Sequence, residues 1–313
     1  MFSQYNLIVI LGPTASSKTT LAAHLASHIN GEIISADSRQ VYRKLNIGTG
    51  KDYAEYIVDG KSIPYHLIDI TEPGSQYNVF EYQKDFIKVF EKLVQCNIFP
   101  LLCGGSGMYI EAVIRGYKLI HVPVNQPLRD ELNQKTLHEL VEILSKYKNI
   151  HNTSDIENKK RAIRAIEIEE YYLTHPEIDF NYPEIRPLLI GIKFDRASQR
   201  RRITERLERR LKEGMLTEVE ELLKSGVTAE QLIYYGLEYK FLTRYVIGEI
   251  SYDKMFSGLN TAIHQFAKRQ MTWFRRMEDQ GMKIWWLDGY MPMGEKLERA
   301  LSLLDKTYQV SKI

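Results

Sequence analysis

The segment Gly12-Pro13-Thr14-Ala15-Ser16-Ser17-Lys18-Thr19 carries residue types and spacing that can hold phosphate. It follows the pattern G-x-x-x-x-G-K-[ST] except that Ser17 takes the place of the second glycine. In such a loop the backbone N–H groups of Thr14, Ala15, Ser16 and Ser17 point inward at the anion, and the helix that follows adds the positive end of its dipole. Lys18 reaches the distal phosphate, and the Thr19 hydroxyl binds Mg²⁺. The apolar run Leu7 to Leu11 before the loop predicts a strand, and Leu21, Leu25 and Ile29 after it predict a helix. Glycine is preferred at the Ser17 position because backbone and phosphate approach closely there. The loop by itself leaves open whether the phosphates belong to a nucleoside triphosphate.

In an open parallel sheet, ligands sit at the carboxyl ends of the strands. Three further strand ends are legible: "ADSRQVY" with Asp37, Ser38, Arg39 and Gln40; "YHLIDI" with Asp69; and "FPLLCGG" leading into "GGSGMY", Gly104 to Tyr109. Asp37 is expected to face the phosphate loop, where a carboxylate can take a proton or hold Mg²⁺ through water. The plain alternative for Asp37 is a helix cap or turn residue. Asp69 fits a turn or a water-mediated Mg²⁺ partner equally well, and "GGSG" on spacing alone is an ordinary strand-to-helix turn. Basic residues gather in "KKRAIR" (159–164), in "RASQRRRITERLERRLK" (196–212) and in "AKRQMTWFRR" (267–276). Ile203, Leu207 and Leu211 make a core-facing helical stripe, and Arg202 and Arg206 share the face beside it. Each cluster alone reads as a solvated face; three together point to a polyanionic partner.

The elements that must position these residues begin with a βαβ rhythm, which predicts an α/β fold with a doubly wound parallel sheet. The third strand is expected over "YHLIDI" and the next helix over Tyr77 to Gln95. From about 120 to 185 the rhythm stops. "PVNQP" and "NYPEIRP" bracket two helical stretches, Leu128 to Tyr147 and Asp155 to Leu173, which predict an all-helical insertion. "LLIGIKF" resumes the sheet. The remainder is helix-rich, with helices over Arg196 to Lys224, Glu238 to Ile247 and Tyr252 to Met277, and a last strand at "KIWWLD". The core is thus expected to be 1–119 with 186–313. With 313 residues, 44% apolar and 26% charged, and a net charge of +2, the chain is ordinary for a globular protein. It has no apolar run long enough to span a membrane. The first residues read as a strand leading into the loop, not as a signal peptide. Cys96 and Cys103 are expected to be buried thiols, which suits a reducing cytoplasm.

With these segments in order, the chain resembles the tRNA dimethylallyltransferases, also called tRNA isopentenyltransferases. The resemblance runs through "GPTASSKT", "SADSRQVYRKLNIGT", "YHLIDI", "PLLCGGSGMYI", "NKKRAIRAIEI", "RITERLERRLKEGMLTEV", "GEISYD" and "QFAKRQMTWFRR". It implies transfer of a dimethylallyl group from dimethylallyl diphosphate to N6 of an adenosine beside the anticodon, at tRNA position 37, with release of diphosphate. The loop would then hold a prenyl diphosphate with Mg²⁺, not ATP. The same resemblance makes Asp37 the general base for the amine, Ser106 a hydroxyl ligand of the diphosphate or amine, and Arg206 a diphosphate partner with Arg202 beside it. Ser38, Arg39, Gln40, Lys160, Arg161, Arg164, Gln265 and Arg269 would face the tRNA, whose target base must leave its stack. The expected partners are tRNA and dimethylallyl diphosphate, with no membrane and no second copy of the chain. Four positions depart from the family pattern. Ser17 replaces glycine, Ser106 replaces threonine, Asn158 replaces aspartate, and "GLEYK" with Glu238 replaces G-Y-[RK]-[QE]. Three rival readings use the same residues: a kinase with Asp37 accepting the substrate's proton, a prenyltransferase of free AMP, and a non-catalytic tRNA-binding module.

Overall fold

The structure, a computed structural model, describes residues 4–147, 153–176 and 181–310. Leu7–Leu11 forms β1, with all five residues fully buried. Burial on both faces is why this strand reads as an unbroken apolar run instead of an alternating one. Ile8 and Ile10 pack into one apolar layer with the helix α1 (Lys18–Ile29), while Leu7, Val9 and Leu11 pack into the opposite layer. Next in the chain come β2 (Gly31–Ala36), the hairpin strands β3 (Ile57–Val58) and β4 (Lys61–Ser62), and β5 (Tyr65–His66). Helix α2 (Val79–Gln95), β6 (Phe99–Gly104) and α3 (Gly107–Ile114) follow. After the inserted segment the chain returns through β7 (Pro187–Lys193) and reaches β8 (Ile284–Asp288). The main sheet has the order β5-β2-β6-β1-β7-β8, and every pairing in it is parallel.

The Cα framework divides into two compact units, Met1–Tyr117 with Tyr182–Ile313, and Lys118–Asn181. The smaller unit is helical among its described residues: α4 (Gln126–Leu132), α5 (Leu137–Tyr147), a single 3₁₀ turn and α6 (Lys159–Thr174). Its core is Leu132, Leu140, Leu144, Ala162, Ile163, Ala165 and Ile166. Asn158 caps α6 by accepting the Arg161 N–H at 3.1 Å, a task asparagine does as well as the family's aspartate. In the larger unit the C-terminal helices are α7 (Arg196–Lys212), α8 (Met215–Lys224), α9 (Ala229–Tyr234), α10 (Leu237–Val246), α11 (Tyr252–Asp279) and α12 (Met293–Val310). Helices α7, α8, α10 and α11 share a third apolar layer with Val41, Tyr42 and Leu45.

Several elements differ from the sequence reading. "YHLIDI" pairs for only two residues, because Leu67 and Asp69 take left-handed backbone (φ 60° and 56°). The amides of Asp69, Ile70 and Thr71 bond instead to the carbonyls of Gln40 and Val41. The expected helix 128–147 is two helices. Thr136 and Glu139 form a reciprocal cap that starts α5 afresh. The expected helix 196–224 breaks at Gly214, whose φ of 104° suits glycine alone. Helix α12 was not anticipated, although Leu297, Ala300 and Leu304 recur at helical spacing and pack against the sheet. Of the two cysteines Cys103 is buried, but Cys96 is exposed, because it ends α2 where the chain turns out to solvent. Among the described residues no helix is long and apolar enough to cross a membrane.

Candidate active site

The phosphate loop lies between the end of β1 and α1, and its shape depends on close approaches that limit side chains. A Cβ on Gly12 would stand 2.7 Å from the backbone oxygen of Ile192 in β7 and 2.8 Å from Ser16 Oγ. Ala15 and Ser17 both take left-handed backbone, at φ 61° and 60°. This conformation costs a non-glycine residue about 1–2 kcal/mol, and it turns successive N–H groups toward one concavity. Ser17 stands at the N-cap of α1 without a side-chain cap, so its hydroxyl does not compete for the helix's first amides. Ser16 is fully buried, and its Oγ has no partner in the protein. An uncommitted buried hydroxyl inside an amide-lined loop is a ready donor to an anion.

Helix α7 clamps the loop from outside. Arg202 donates from Nε to the Ala15 carbonyl at 3.0 Å and from Nη2 to Ser17 Oγ at 3.1 Å. The Arg202 guanidinium also stacks 4.4 Å from the centre of the Phe194 ring. Arg206 Nη1 donates to Thr14 Oγ1 at 3.4 Å, and Gln199 Nε2 donates to the Thr14 carbonyl at 2.5 Å. Asp195 caps the same helix by accepting from the amides of Ala197 and Ser198, and Tyr290 with these bonds draws its carboxyl down to about 2.

A cavity of about 620 Å³ opens beside the loop, lined by Thr14 to Thr19, Asp37 to Gln40, Arg202, Arg206 and Gln270 among others. Lys18 Nζ donates to the Pro13 carbonyl at 3.4 Å. Burial pulls its pKa below the usual lysine value; Arg206 adds to this, while Cys103, Asp37 and Glu55 oppose it. Burial likewise lowers Arg206. Two half-buried cations beside one cavity make it an anion site. The Cys103 thiol, under the loop, is pushed up to about 12 by burial and bonds to Thr19, so it is an inert neighbour.

Asp37 follows the last residue of β2. One carboxylate oxygen accepts the Arg39 N–H at 2.9 Å, and the same side chain lines the cavity with Lys18. Ser106, the N-terminal neighbour of α3, accepts the Ser38 N–H at 3.2 Å, which joins the ends of β2 and β6. Gln40 turns inward: its Oε1 accepts from Ser35 Oγ at 3.1 Å and its Nε2 donates to the Gly50 carbonyl at 3.2 Å. The Arg39 guanidinium lies 5.7 Å from the centre of the Tyr235 ring. Asp69 is occupied elsewhere, accepting from the buried Lys51 ammonium and from the Tyr53 hydroxyl, both at 2.5 Å.

Other expected site residues stand apart from this cavity. Gln265 and Arg269 are exposed on α11 and do not line it; Ile263, Phe266 and Gln270 on the opposite face of that helix do. Gln270 is the residue sequence reasoning missed. Its Oε1 accepts the Thr14 N–H and its Nε2 donates to the Gly105 carbonyl, both at 2.9 Å, so one side chain ties the phosphate loop to the β6–α3 turn. In the smaller unit Lys160 and Arg161 are exposed. Arg164 is turned into that unit, where with Arg129 it pairs with Glu167, a carboxylate only 1% exposed, and donates to the Val122 carbonyl.

The family model "IPP transferase" matches residues 40–277, and "Isopentenyl transferase" matches residues 5–64. The chain is 57% identical over 293 residues to tRNA dimethylallyltransferase 2 of Bacteroides fragilis, covering 94% of this chain and 96% of that one. It is 58% identical over 302 residues to tRNA dimethylallyltransferase 1 of Parabacteroides distasonis, covering 96% and 98%. The crystal structure of the tRNA isopentenylpyrophosphate transferase of Bacillus halodurans superposes with a TM-score of 0.71 at 28% identity, covering 98% of this chain and 99% of that one. The fold is also that of a eukaryotic dimethylallyltransferase acting on tRNA (TM-score 0.73, 20% identity, 91% of this chain and 74% of that one). The chain therefore belongs to the IPP transferase family and is a prenyltransferase.

Proposed function

We propose that this chain transfers the dimethylallyl group of dimethylallyl diphosphate to N6 of the adenosine 3′ of a tRNA anticodon. The observation that carries this reading is the shared cavity: the phosphate loop with Lys18 and Arg206 on one side, and the Asp37 carboxylate on the other. Phosphate-loop amides other than that of Thr14, which is bonded to Gln270 instead of pointing at the anion, bind the diphosphate together with Ser16 Oγ, Lys18 and Arg206. The exocyclic amine of a flipped adenine attacks C1 of the dimethylallyl group while the C–O bond to the diphosphate breaks. Asp37 takes the proton that the amine sheds, and Lys18 and Arg206 take up the negative charge growing on the departing oxygen. Ser106, bonded to the Ser38 amide, holds the Asp37 turn against the β6–α3 turn.

Mg²⁺ is the proposed cofactor, and the donor set fits it. Among the described residues no group of three His, Cys, Asp or Glu side chains could hold a metal ion. The loop offers the Thr19 hydroxyl, which suits a cation that arrives with the diphosphate and keeps phosphate and water ligands. When bound it would supply charge neutralisation of the leaving diphosphate. Incubation with tRNA, Mg²⁺ and dimethylallyl diphosphate, followed by mass analysis of the tRNA nucleosides, tests the reading. The expected product is N6-isopentenyladenosine with one pyrophosphate released per transfer. Phosphate release from ATP coupled to phosphorylation of a small acceptor would establish a kinase instead.

A further inference from the structure

Arg206 serves the donor and Arg202 clamps the phosphate loop, yet α7 aims a third guanidinium at the same cavity. Arg210 follows Arg206 by one helical turn, continuing the row at i, i+4 and i+8. It is 9% exposed, and its Nη2 is buried with no hydrogen-bond partner. Among the described residues no carboxylate oxygen lies within the 4 Å of an ion pair to Arg206 or Arg210, whereas Arg209 between them turns out to Glu213. Burial and the neighbouring Arg206 charge pull the Arg210 guanidinium down to about 10, and the Glu238 carboxylate opposes them. Burial also raises Glu238, with Arg210 opposing, so each side chain is the other's counter-charge across the cavity wall.

The approach is built for this side chain. Gly50 has φ 68°, a backbone that favours glycine, and a Cβ there would stand 1.5 Å from Arg210 Nη2, so a side chain at this position would push the guanidinium out of its place. Glu238 sits on α10, and the cation facing it comes from α7. Glu238 balances part of the charge, but Arg210 Nη2 is left without a hydrogen-bond partner, and that carries a desolvation cost that an anion in the cavity would offset.

We infer that Arg210 is a further phosphate ligand of this cavity, binding a phosphoryl oxygen of the donor diphosphate or of the RNA backbone beside the flipped base. The inference rests on the reading that both enter here. Pyrophosphate binding to the wild-type chain and to Arg210→Met, measured by calorimetry, tests the first source. Binding of an anticodon stem-loop across a salt titration tests the second. Loss of one charged hydrogen-bond set is expected to weaken at least one of the two affinities by about 10- to 100-fold. A change in pyrophosphate affinity assigns the donor; a change in stem-loop affinity with a shallower salt slope assigns the RNA. A fall of less than about five-fold in both overturns the inference, while transfer by the wild-type chain leaves the proposed function standing. Thermal melts establish that the variant is folded. Should Arg210→Met not melt cooperatively, Arg210→Gln, which also removes the charge, is held to the same criterion. A wild-type chain that bound neither ligand would overturn the reading of the cavity and this inference together.

Discussion

Asp37 is held by one oxygen. The Arg39 amide fixes Oδ1 in an Asx turn at 2.9 Å, and among the described residues no hydrogen bond engages the other oxygen. Both a proton acceptor and a turn former are thus visible in one side chain, and substitution separates them. Asp37→Asn keeps the acceptor oxygen of the turn and removes the basic one. Single-turnover transfer at saturating tRNA is expected to slow by about 10²- to 10⁴-fold, the usual worth of a general base, with tRNA affinity little changed. A near wild-type rate would make Asp37 a turn residue only. At Ser17 two effects oppose each other. Glycine would relieve left-handed strain of about 1–2 kcal/mol but lose the bond from Arg202 Nη2. Ser17→Gly is therefore expected to transfer at close to the wild-type rate with a small change in melting temperature; abolished transfer would give the serine hydroxyl a direct part in the reaction.

Helix register explains both what the sequence makes legible and what it hides. The phosphate loop, the strands on either side of β1 and the Arg202–Arg206 face are readable because each rests on a local rule: a glycine spacing, an apolar run, an i, i+4 pair. Gln270 is not readable that way. It lies in the same segment as Gln265 and Arg269, and only the placement of Ile263 and Phe266 on the cavity wall shows which face of α11 meets the loop. The caps at Thr136 and Gly214 were legible in principle, since T-x-x-E and a glycine after Lys212 are boundary signals. The early end of β5 was not, because it depends on amides captured by Gln40 and Val41 from a distant turn. The elements also set a pH dependence. Lys18 opens α1, surrounded by Cys103 from β6, Arg206 from α7, and Asp37 and Glu55. Its pKa is lowered in the free protein, and a bound diphosphate favours the charged ammonium and raises it. Binding is then strongest while Lys18 is protonated and weakens as pH rises through the lowered free-protein value, below the ordinary 10.5. Calorimetry of pyrophosphate binding from neutral to alkaline pH, in two buffers of different ionisation enthalpy, is expected to show proton uptake at the alkaline end. Affinity constant across that range would remove Lys18 from the diphosphate.

At the scale of the whole molecule, a net charge of only +2 conceals a division of labour among the basic residues. Arg202, Arg206 and Arg210 of α7 line a cavity in the larger unit, whereas in the smaller unit the cluster "KKRAIR" splits by whether a residue is bonded to the buried Glu167. Arg164 is half-buried and bonded inward: with Arg129 it neutralises the buried Glu167, whose carboxyl these partners and the Asn125 amide hold down against burial. Reversing Arg164 would set an acid beside Glu167 and loosen the fold, so it cannot report on RNA. Lys160 and Arg161 are the informative pair, since both are exposed, neither sits in the core of the unit, and the ion pair of Arg161 with Glu157 is a solvent-exposed one worth little to stability. Lys160→Glu with Arg161→Glu is expected to weaken tRNA binding and to flatten its salt dependence by about one unit of slope per lost phosphate contact. Pyrophosphate affinity and the melting temperature should stay near wild type, because the cavity is built within the other unit. Arg164→Glu serves as the contrast, lowering the melting temperature first. An unchanged tRNA affinity for the double variant at every salt concentration would make this surface an ordinary solvated face, and RNA recognition would then have to come from the larger unit alone.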